Sequence, residues 1–412
     1  MAPVDAQFYW MSAKIPNDEF LLYAFDGVPA DCSLAIEQVR RRAQASSEFT
    51  TRVRDDNRLT YPRWVPAAVV PEQVVHHDLA DDSWDGCLAA VMGLADHQLD
   101  IRRITWRVHV FTPVLGIPGV SGPGSVVVVQ IPHAVADGTR TSAMAAWLLG
   151  RADHVPEVHR LGAGFPPLRG AEAIRTHRQL VRDTREGLLA PGLGTRPLQQ
   201  TNARPAGPRL LRTLVRDRSQ LRGPTVTVGV LTALSTAISN SLGGEYDSLA
   251  AEVPMAKPGV REANNHFSSV TVGLYPKLDS TDRAERIAAD LANGRRRLEH
   301  PATRSADRAF AAVPAALLRW GVSKFDPDVR PAQVAGNTVV SSVNRGAADL
   351  SFGGARVVFT TGYPVLSPLM GLTHGVHGIG GTVAISVHAT ASAFGGDGAD
   401  IDDYVRLLDA AL

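Results

Sequence analysis

Apolar residues follow two patterns along this chain, short continuous runs and positions that recur at helical spacing. Ser125–Ile131 (SVVVVQI) is an almost uninterrupted β-branched run, which predicts a strand buried on both faces. Thr139–Leu149 follows it with a Ser/Thr start and a composition dominated by Ala and Leu, which predicts a helix. Phe20–Phe25 (FLLYAF) predicts another strand, and Asp31 predicts the N-cap of a second helix. The chain therefore mixes strands and helices and falls in the α/β class.

A strict alternation of apolar and polar residues occurs at Ile104–Phe111 (ITWRVHVF). Trp106 and Val108 share one face of this segment, and His109 lies on the other. This period of two predicts a half-buried strand, with His109 pointing away from the core face.

Helical spacing dominates the second half of the chain. Thr225–Leu242 is an apolar run preceded by Pro224 and ended near Gly243, which predicts a helix. Residues 282–298 carry apolar residues on one face and arginines on the other, which predicts an amphipathic helix. Residues 400–412 predict a last helix by the same spacing.

Composition shifts between these two halves. Residues 154–170 and 191–208 are rich in Pro, Gly and Arg, and a predicted helix at 171–189 separates them. We interpret this passage as a crossover between two lobes. The predicted division is an N-terminal lobe at 1–170, a crossover at 171–208 and a C-terminal lobe at 209–412.

Length and composition limit the classes of protein to which the chain can belong. The 412 residues are 44% hydrophobic and 20% charged, as in an ordinary soluble globular protein with an ample core. The formal net charge of +1 provides no global field for nucleic acid or an anionic membrane. Two cysteines, Cys32 and Cys87, are too few for a disulfide framework or a structural zinc site.

The expected location follows from what the chain lacks. Its first residues do not combine a charged region with an apolar core, as signal peptides do. No apolar run approaches the roughly 20 residues that span a bilayer. We therefore expect a cytoplasmic protein without a transmembrane segment, attached at most peripherally to a membrane or lipid.

Candidate chemistry is concentrated at the end of the predicted strand at 125–131. His133 follows the strand, Asp137 comes four residues later, and Gly138 precedes the helix. The carboxylate is close enough to hold the loop or the ring, and the glycine suits a sharp turn or a close backbone approach. A simpler interpretation is that His133 only caps the strand and satisfies a backbone carbonyl. Spacing alone does not separate these two interpretations.

The other histidine clusters carry weaker signals. His76 and His77 precede Asp78 in a polar, Asp-rich segment without a glycine or a preceding buried strand, which predicts a surface strand and turn. His374, His377 and His388 have no acidic or cysteine companions at the spacing of metal ligands. We therefore interpret them as structural and expect no metal site.

Several motifs resemble those of one enzyme family. Residues 131–142 (IPHAVADGTRTS) resemble the HHxxxDG signature of the wax ester synthase/diacylglycerol acyltransferase family, with Pro132 in the place of the first His. That family belongs to the superfamily of chloramphenicol acetyltransferase and nonribosomal peptide condensation domains. The segment around Trp106 resembles the family's PLW motif. Thr225–Val228 replaces the family's TVND, and Val339–Asn344 occupies the place of its SNVPGP turn. The resemblance extends, with gaps, over the whole chain.

The resemblance implies an architecture and a set of roles. The fold would have two lobes of the chloramphenicol acetyltransferase type, each a mixed sheet packed by helices, with an active-site channel between them. His133 would be the general base, and Asp137 would hold its loop through a salt bridge to an arginine. Condensation domains place that arginine in a segment that corresponds here to Phe49–Arg52, where the matching residue is Thr50. Arg52 and Arg54 are the candidate substitutes, and the resemblance does not decide between them. The candidates for an oxyanion or channel role are Ser341, Ser342, Asn344 and Trp106.

The implied reaction is transfer of an acyl group from a CoA or carrier-protein thioester to an alcohol of a lipid or secondary metabolite. Such a reaction needs a base for the acceptor's proton, and histidine, with a pKa of about 6.5, suits that task. The thioester is a substrate, so no further cofactor is expected. An acyl carrier protein is a possible partner, and nucleic acid is not expected. Two alternatives remain: a natural-product condensation enzyme that forms an amide or ester, and a catalytically idle binding member of the fold.

Overall fold

The computed structural model describes residues 1–159, 162, 164–244, 246–395 and 401–412. The strands in chain order are β1 (Asp18–Asp26), β2 (Thr51–Arg54), β3 (Arg63–Pro66), β4 (Val74–His77), β5 (Arg107–Val114), β6 (Gly124–Pro132), β7 (Arg196–Pro197), β8 (Arg209–Asp217), β9 (Ala250–Ala256), β10 (Phe267–Gly273), β11 (Gln333–Val334), β12 (Thr338–Asn344), β13 (Ser351–Phe352), β14 (Ala355–Gly362), β15 (Leu372–Ile379) and β16 (Thr382–Thr390). The helices are α1 (Pro3–Met11), α2 (Cys32–Gln44), α3 (Trp84–Leu94), α4 (Gly138–Leu148), α5 (Pro166–Arg185), α6 (Val226–Ser241), α7 (Ser280–Glu299), α8 (Pro301–Ala311), α9 (Ala315–Lys324) and α10 (Ile401–Ala411).

The first of two six-stranded sheets has the order β13-β14-β1-β6-β5-β4. Every residue of β6 is buried, because helices cover both faces of the sheet at this strand. Helices α2 and α4 pack on one face and α3 packs on the other. The strand predicted at 125–131 is confirmed and is one residue longer at each end. The predicted N-cap Asp31 is also confirmed, because its Oδ1 accepts a hydrogen bond from the Leu34 N–H at 2.9 Å.

The second sheet has the order β10-β9-β12-β15-β16-β8. Strand β12 runs parallel to β9 and β15, and the other pairs are antiparallel, so the sheet is mixed as expected. Helices α6, α7 and α10 bury their apolar faces against it. The helices predicted at 225–242 and 282–298 are therefore confirmed as α6 and α7. The predicted start of the last helix, residue 400, lies outside the described residues.

The chain returns to the first sheet late in its course. Strand β14 pairs antiparallel with β1, with Leu21 opposite Gly362, and β13 extends the same edge. The predicted C-terminal lobe at 209–412 is therefore not continuous, since residues 351–362 complete the first sheet. The crossover helix also begins earlier than the predicted residue 171, at Pro166.

The alternating segment at 104–111 differs from its prediction. Strand β5 begins only at Arg107, so Trp106 precedes it. The strand is not half-buried, because α3 covers the face that was expected to meet solvent. His109 on that face is buried, and its Nε2 lies 2.9 Å from Gln130 Oε1. The predicted strand at His76 and His77 is confirmed as β4, although the His77 ring stacks on Phe111 at 4.9 Å.

The two sheets contact each other through an apolar cluster to which both contribute. Leu22 of β1 and Phe359 of β14 meet Leu211 of β8 and Ala384 of β16 there. This contact holds the end of β6 next to the second sheet. Among the helices of the described residues, none is long and apolar enough to cross a membrane.

Candidate active site

His133 lies just beyond the end of β6, at a cavity of about 800 Å³ between the two sheets. The cavity is lined by residues of β1, β9, β12, α7 and the first turns of α4 and α6. The His133 ring stacks on Phe8 of α1, with ring centroids 4.2 Å apart and an interplanar angle of 6°. Phe267 of β10 lies at 5.4 Å. These two aromatic rings restrict the imidazole to one plane, and its side chain is 20% exposed.

Hydrogen bonds at Asn265 fix which nitrogen of His133 carries the proton. Asn265 Nδ2 donates to the His133 carbonyl at 2.7 Å and to Asp5 Oδ1 at 3.0 Å. Its Oδ1 therefore faces His133 Nδ1, at 2.7 Å. Because an amide oxygen only accepts, Nδ1 carries a hydrogen, and the neutral ring presents a free lone pair on Nε2.

Asp5 of α1 holds Asn265 in this orientation. Its carboxylate also accepts the backbone N–H groups of Asn264, at 3.0 Å, and of Asn265, at 2.9 Å. Burial raises the pKa of Asp5 to about 6, although these hydrogen bonds favour the charged form. At pH 7 the carboxyl is therefore largely ionised and can accept all three hydrogens. Asp5, Asn265 and His133 form a continuous chain that ends at Nε2.

We expect Asn265→Ala to lower the turnover number roughly 10²- to 10⁴-fold with little change in KM. The reason is that a catalytic histidine held in the wrong tautomer loses activity on that scale. The ¹⁵N signals of the His133 ring should also shift toward the Nε2–H tautomer, which an effect on stability alone would not produce.

Asn264→Ala provides the matched control for this prediction. The Asn264 side chain only donates to the Ala134 carbonyl, at 3.4 Å, and does not touch the ring. Wild-type tautomer signals in Asn265→Ala, or equal losses of turnover in both variants, would contradict the proposed alignment of His133 by Asn265.

Asp137 joins the first turn of α4 to the segment that connects β9 and β10. Its Oδ2 is 2.8 Å from Arg261 Nη1 and accepts the His266 backbone N–H at 2.8 Å. Its Oδ1 caps α4 by accepting the Arg140 N–H at 3.0 Å. Burial alone would raise the pKa of Asp137, but Arg261 and the two backbone N–H groups lower it below its ordinary value. The ionised Asp137 therefore connects the loop of His133 to the segment between β9 and β10.

Neither of the two candidate arginines, Arg52 and Arg54, is the partner of Asp137, which pairs with Arg261. Arg52 donates to the Arg102 carbonyl at 3.2 Å, and Arg54 pairs with Asp56 at 2.8 Å. Glu48, which directly precedes the segment that was expected to supply the partner, pairs instead with Arg140 of α4. Arg261 lies 124 residues from Asp137 in the chain, and no local pattern links the two.

Gly138 and Trp106 are placed differently from their predictions. Gly138 is the first residue of α4 and does not have a positive φ. A Cβ atom there would meet Val343 at an ordinary 3.7 Å, so neither a sharp turn nor a close approach requires the glycine. Trp106 is fully buried, and its Nε1–H donates to the Phe49 carbonyl at 3.0 Å. It belongs to the core of the first sheet and does not line the cavity.

The structure brings the three polar candidates of β12 to the cavity. Ser342 Oγ is 2.8 Å from Thr227 Oγ1 of α6, and Asn344 Oδ1 accepts the Gly346 N–H at 3.0 Å. Within the described residues, Ser341 Oγ has no hydrogen-bond partner. Asn344 Nδ2 likewise has no partner among the described residues, so the Ser341 hydroxyl and the Asn344 amide can both donate a hydrogen bond to a substrate.

The histidines of β15 and β16 are buried, and two of them are held by hydrogen bonds inside the fold. His374 contacts Thr338 Oγ1 at 2.8 Å and Tyr404 Oη at 2.7 Å, and His388 contacts the Pro364 carbonyl at 2.9 Å. His377 lines the cavity instead, and burial holds its pKa well below the ordinary value. No cluster of three potential metal ligands occurs in the described ranges.

The chain is similar to known proteins in part of its sequence and in its whole fold. Residues 263–397 match the family model described as WS/DGAT C-terminal domain. The wax ester synthase/diacylglycerol acyltransferase from Marinobacter aquaeolei VT8 superposes with a TM-score of 0.64 at 18% identity, covering 100% of this chain and 97% of that one. The first condensation domain of the CDA synthetase gives a TM-score of 0.61 at 15% identity, with coverages of 100% and 95%. No curated protein sequence matches at a significant level.

A third similar structure is the starter condensation domain of rhizomide synthetase, solved as a mutant in complex with C8-CoA and Leu-SNAC. It has a TM-score of 0.61 at 12% identity and covers 100% of this chain and 93% of its own. Residues 263–397 thus match the wax ester synthase/diacylglycerol acyltransferase family model, and the whole chain has the fold that the wax ester synthase and condensation-domain structures share. An acyltransferase-type function is supported by these likenesses. The expected two-lobed α/β architecture is thereby confirmed.

Several residues that contact His133 were missed as site residues in the sequence. Phe8, Asn265 and Glu19 were not among the candidate site residues of the sequence. Glu19 Oε1 lies 3.6 Å from His133 Nε2. A usable signal existed for Glu19, since an Asp-Glu pair at the start of an otherwise apolar strand is unusual inside a core. For Phe8 and Asn265 the chain offers no local signal.

Proposed function

We propose that this protein transfers an acyl group from a thioester to a hydroxyl or amino group, with His133 as general base. The observation that carries the proposal is the alignment of His133, whose Nδ1 is bound to Asn265 while Nε2 faces a cavity large enough for two substrates. Asp137 is assigned a positioning role, because its hydrogen bonds and ion pair within the described residues are to Arg261 and to backbone N–H groups.

The chemistry follows from the free lone pair on Nε2. As the acceptor's oxygen or nitrogen attacks the thioester carbonyl, Nε2 removes its proton and later gives that proton to the departing thiolate. The C–S bond breaks as the new acyl bond forms, so no covalent acyl-enzyme and no bound cofactor are needed. For the negative charge that develops on the carbonyl oxygen, we assign the Ser341 hydroxyl as hydrogen-bond donor.

A basic cleft beside the cavity supports a donor that carries phosphate groups, as CoA and carrier-bound phosphopantetheine do. The cleft has a volume of about 1270 Å³, and six Arg or Lys side chains line it against four Asp or Glu side chains. Arg175 and Arg178 of α5 and Arg304 of α8 are among the basic ones. None of these three arginines forms an ion pair within the described part of the chain. His266 lines the cleft, and the next residue, Phe267, lines the cavity of His133. The two spaces therefore lie on either side of one short segment.

A substrate panel tests this function. We expect the purified protein to release free thiol and form acylated product when acyl-CoA donors of increasing chain length are combined with alcohols and amines. The corresponding acyl-N-acetylcysteamine thioesters, which lack the phosphates, should give a kcat/KM at least about tenfold lower, since two or more charge-assisted contacts are missing. Product identity is read by mass spectrometry, with blanks lacking protein. Absence of turnover with every donor and acceptor would favour the binding-protein alternative.

A further inference from the structure

Glu19 is a second acid–base group at the reaction centre. It lies at the start of β1, and its side chain lines the cavity of His133. Thr141 Oγ1 of α4 donates to Oε2 at 2.5 Å, which leaves Oε1 directed at His133 Nε2, at 3.6 Å. When Glu19 is ionised and Nε2 carries no proton, two hydrogen-bond acceptors face each other at a separation that is too long for a direct hydrogen bond.

The charged groups around Glu19 leave this gap open to a ligand. Asp137 is neutralised by Arg261. Arg345 is buried, but its guanidinium is held by Thr360 and the Thr361 carbonyl and lies over the Tyr23 ring. Within the described residues, His133 is the only ion-pair partner of Glu19. A ligand that lies beside Oε1 and Nε2 and contacts both must therefore supply a hydrogen to each atom.

Alcohols and amines differ in how well they meet this requirement. A hydroxyl has one hydrogen and can donate to only one of the two acceptors. An ammonium group has three and can donate to both, since one nitrogen about 2.9 Å from each atom spans the gap. Alcohols and ammonium ions also differ in the number of protons that they lose before the new acyl bond is complete. An alcohol loses one proton, and an ammonium ion loses two. An amine with a pKa near 10.4 is unprotonated in only about one molecule in 2,500 at pH 7.

We propose that the acceptor is an amine that enters as its ammonium ion, and that Glu19 binds it and takes its first proton. This inference rests on the proposed acyl transfer and names its acceptor class. Glu19 takes one proton and leaves a neutral amine beside Nε2. The nitrogen then attacks the thioester carbonyl, His133 takes the second proton, and the C–N bond forms as the C–S bond breaks. His133 returns its proton to the thiolate, and Glu19 releases its proton to solvent, so that an amide, a thiol and one proton result.

The surroundings of Glu19 suit it to this task. Burial raises the pKa of the Glu19 carboxyl above its ordinary value, while His133 and Thr141 partly oppose the shift. A carboxylate with a raised pKa is a stronger base and is better matched to removing a proton near neutral pH.

The test compares n-hexylamine with n-hexanol, which have the same chain length, using octanoyl-CoA as donor. Wild-type protein is expected to prefer hexylamine at pH 7. In Glu19→Gln, the ratio of hexylamine to hexanol kcat/KM should fall at least about 10²-fold, the usual contribution of a positioned base. The remaining amine reaction of the variant should rise about tenfold per pH unit below the pKa of the amine, since it depends on free amine in solution. Equal losses for both acceptors, or a wild type that acylates only hexanol, would overturn the proposal.

A binding measurement without donor separates this inference from the proposed function. Titration of hexylamine at pH 7, followed by NMR of the His133 ring, should show a dissociation constant at least about tenfold higher in Glu19→Gln than in wild type. Equal affinities, or no binding to wild type, would reject the ammonium site. Loss of binding in the variant together with no acyl transfer by any protein would reject only the proposed function. Thr141→Val, which removes the hydroxyl that orients Glu19, should share the defect, and Thr141→Ser should restore wild-type behaviour.

Discussion

Replacing His133 by alanine is expected to lower acyl transfer roughly 10²- to 10⁴-fold, the usual contribution of a positioned general base. Folding should change little, because the ring lies at the edge of a cavity and packs mainly against Phe8 and Phe267. The measurement is the single-turnover rate with the best donor and acceptor of the substrate panel, together with the thermal unfolding midpoint.

Pro132→His provides the control for this prediction, since it restores the paired histidines of the family signature. Pro132 ends β6 and lines a different cavity, beside Tyr9 and Trp10, because successive residues of an extended segment point to opposite sides. The added imidazole therefore cannot reach the acceptor, and turnover should stay close to wild type. Unchanged turnover in His133→Ala would remove the proposed mechanism.

Asp137→Asn is expected to cost about 3 to 5 kcal/mol in the free energy of unfolding, since it leaves the guanidinium of Arg261 without its partner in a buried site. Arg261 is only 10% exposed and Asp137 only 4%. Activity should fall as well, because the loop of His133 loses its attachment to the second half of the chain. Denaturant titration of both variants, Asp137→Asn and Arg261→Gln, measures the effect, and the two losses should be similar.

The pH dependence of this loss has a defined sign. Because the pKa of Asp137 is lowered in the folded protein, its stabilising contribution is present above about pH 4, the unfolded value. The contribution is lost as pH falls through the lowered pKa, so wild type and Asp137→Asn should converge in acid. Arg52→Gln serves as the control and should keep wild-type stability, because Arg52 is not the partner of Asp137. An Asp137→Asn protein with wild-type stability and no activity would instead indicate a direct part in proton transfer.

Segments whose environment is set by their own sequence could be predicted. The β-branched run of β6 predicts a strand buried on both faces because no polar side chain interrupts its core. The apolar spacing of α6 and the two-sided pattern of α7 likewise predict which face of each helix is buried. His133 and Asp137 were identified because both lie in one short stretch with a family signature.

Contacts that depend on distant parts of the chain could not be predicted in this way. Arg261 and Asn265 reach the site from a loop between two strands of the second sheet, and Asp5 reaches it from α1. The half-buried interpretation of β5 failed for the same reason, because alternation along one strand does not show that α3 covers the other face. The family signature thus points to His133 as the candidate base, whereas the groups that orient its ring follow only from the packing of the two sheets.

Strand β1 lies inside the first sheet, and one of its two neighbours, β14, is synthesised very late. The Thr360 hydroxyl donates to the Leu22 carbonyl across 338 residues of chain. At elongation rates of about 5 to 20 residues per second, β1 leaves the ribosome roughly 20 to 70 s before β14 can pair with it. During that interval one edge of β1 carries unpaired backbone N–H and C=O groups, which are a template for pairing with other chains. One edge of β1 therefore stays unpaired and prone to aggregation for most of the synthesis of the chain. Chaperones would have to shield this strand until β14 is made.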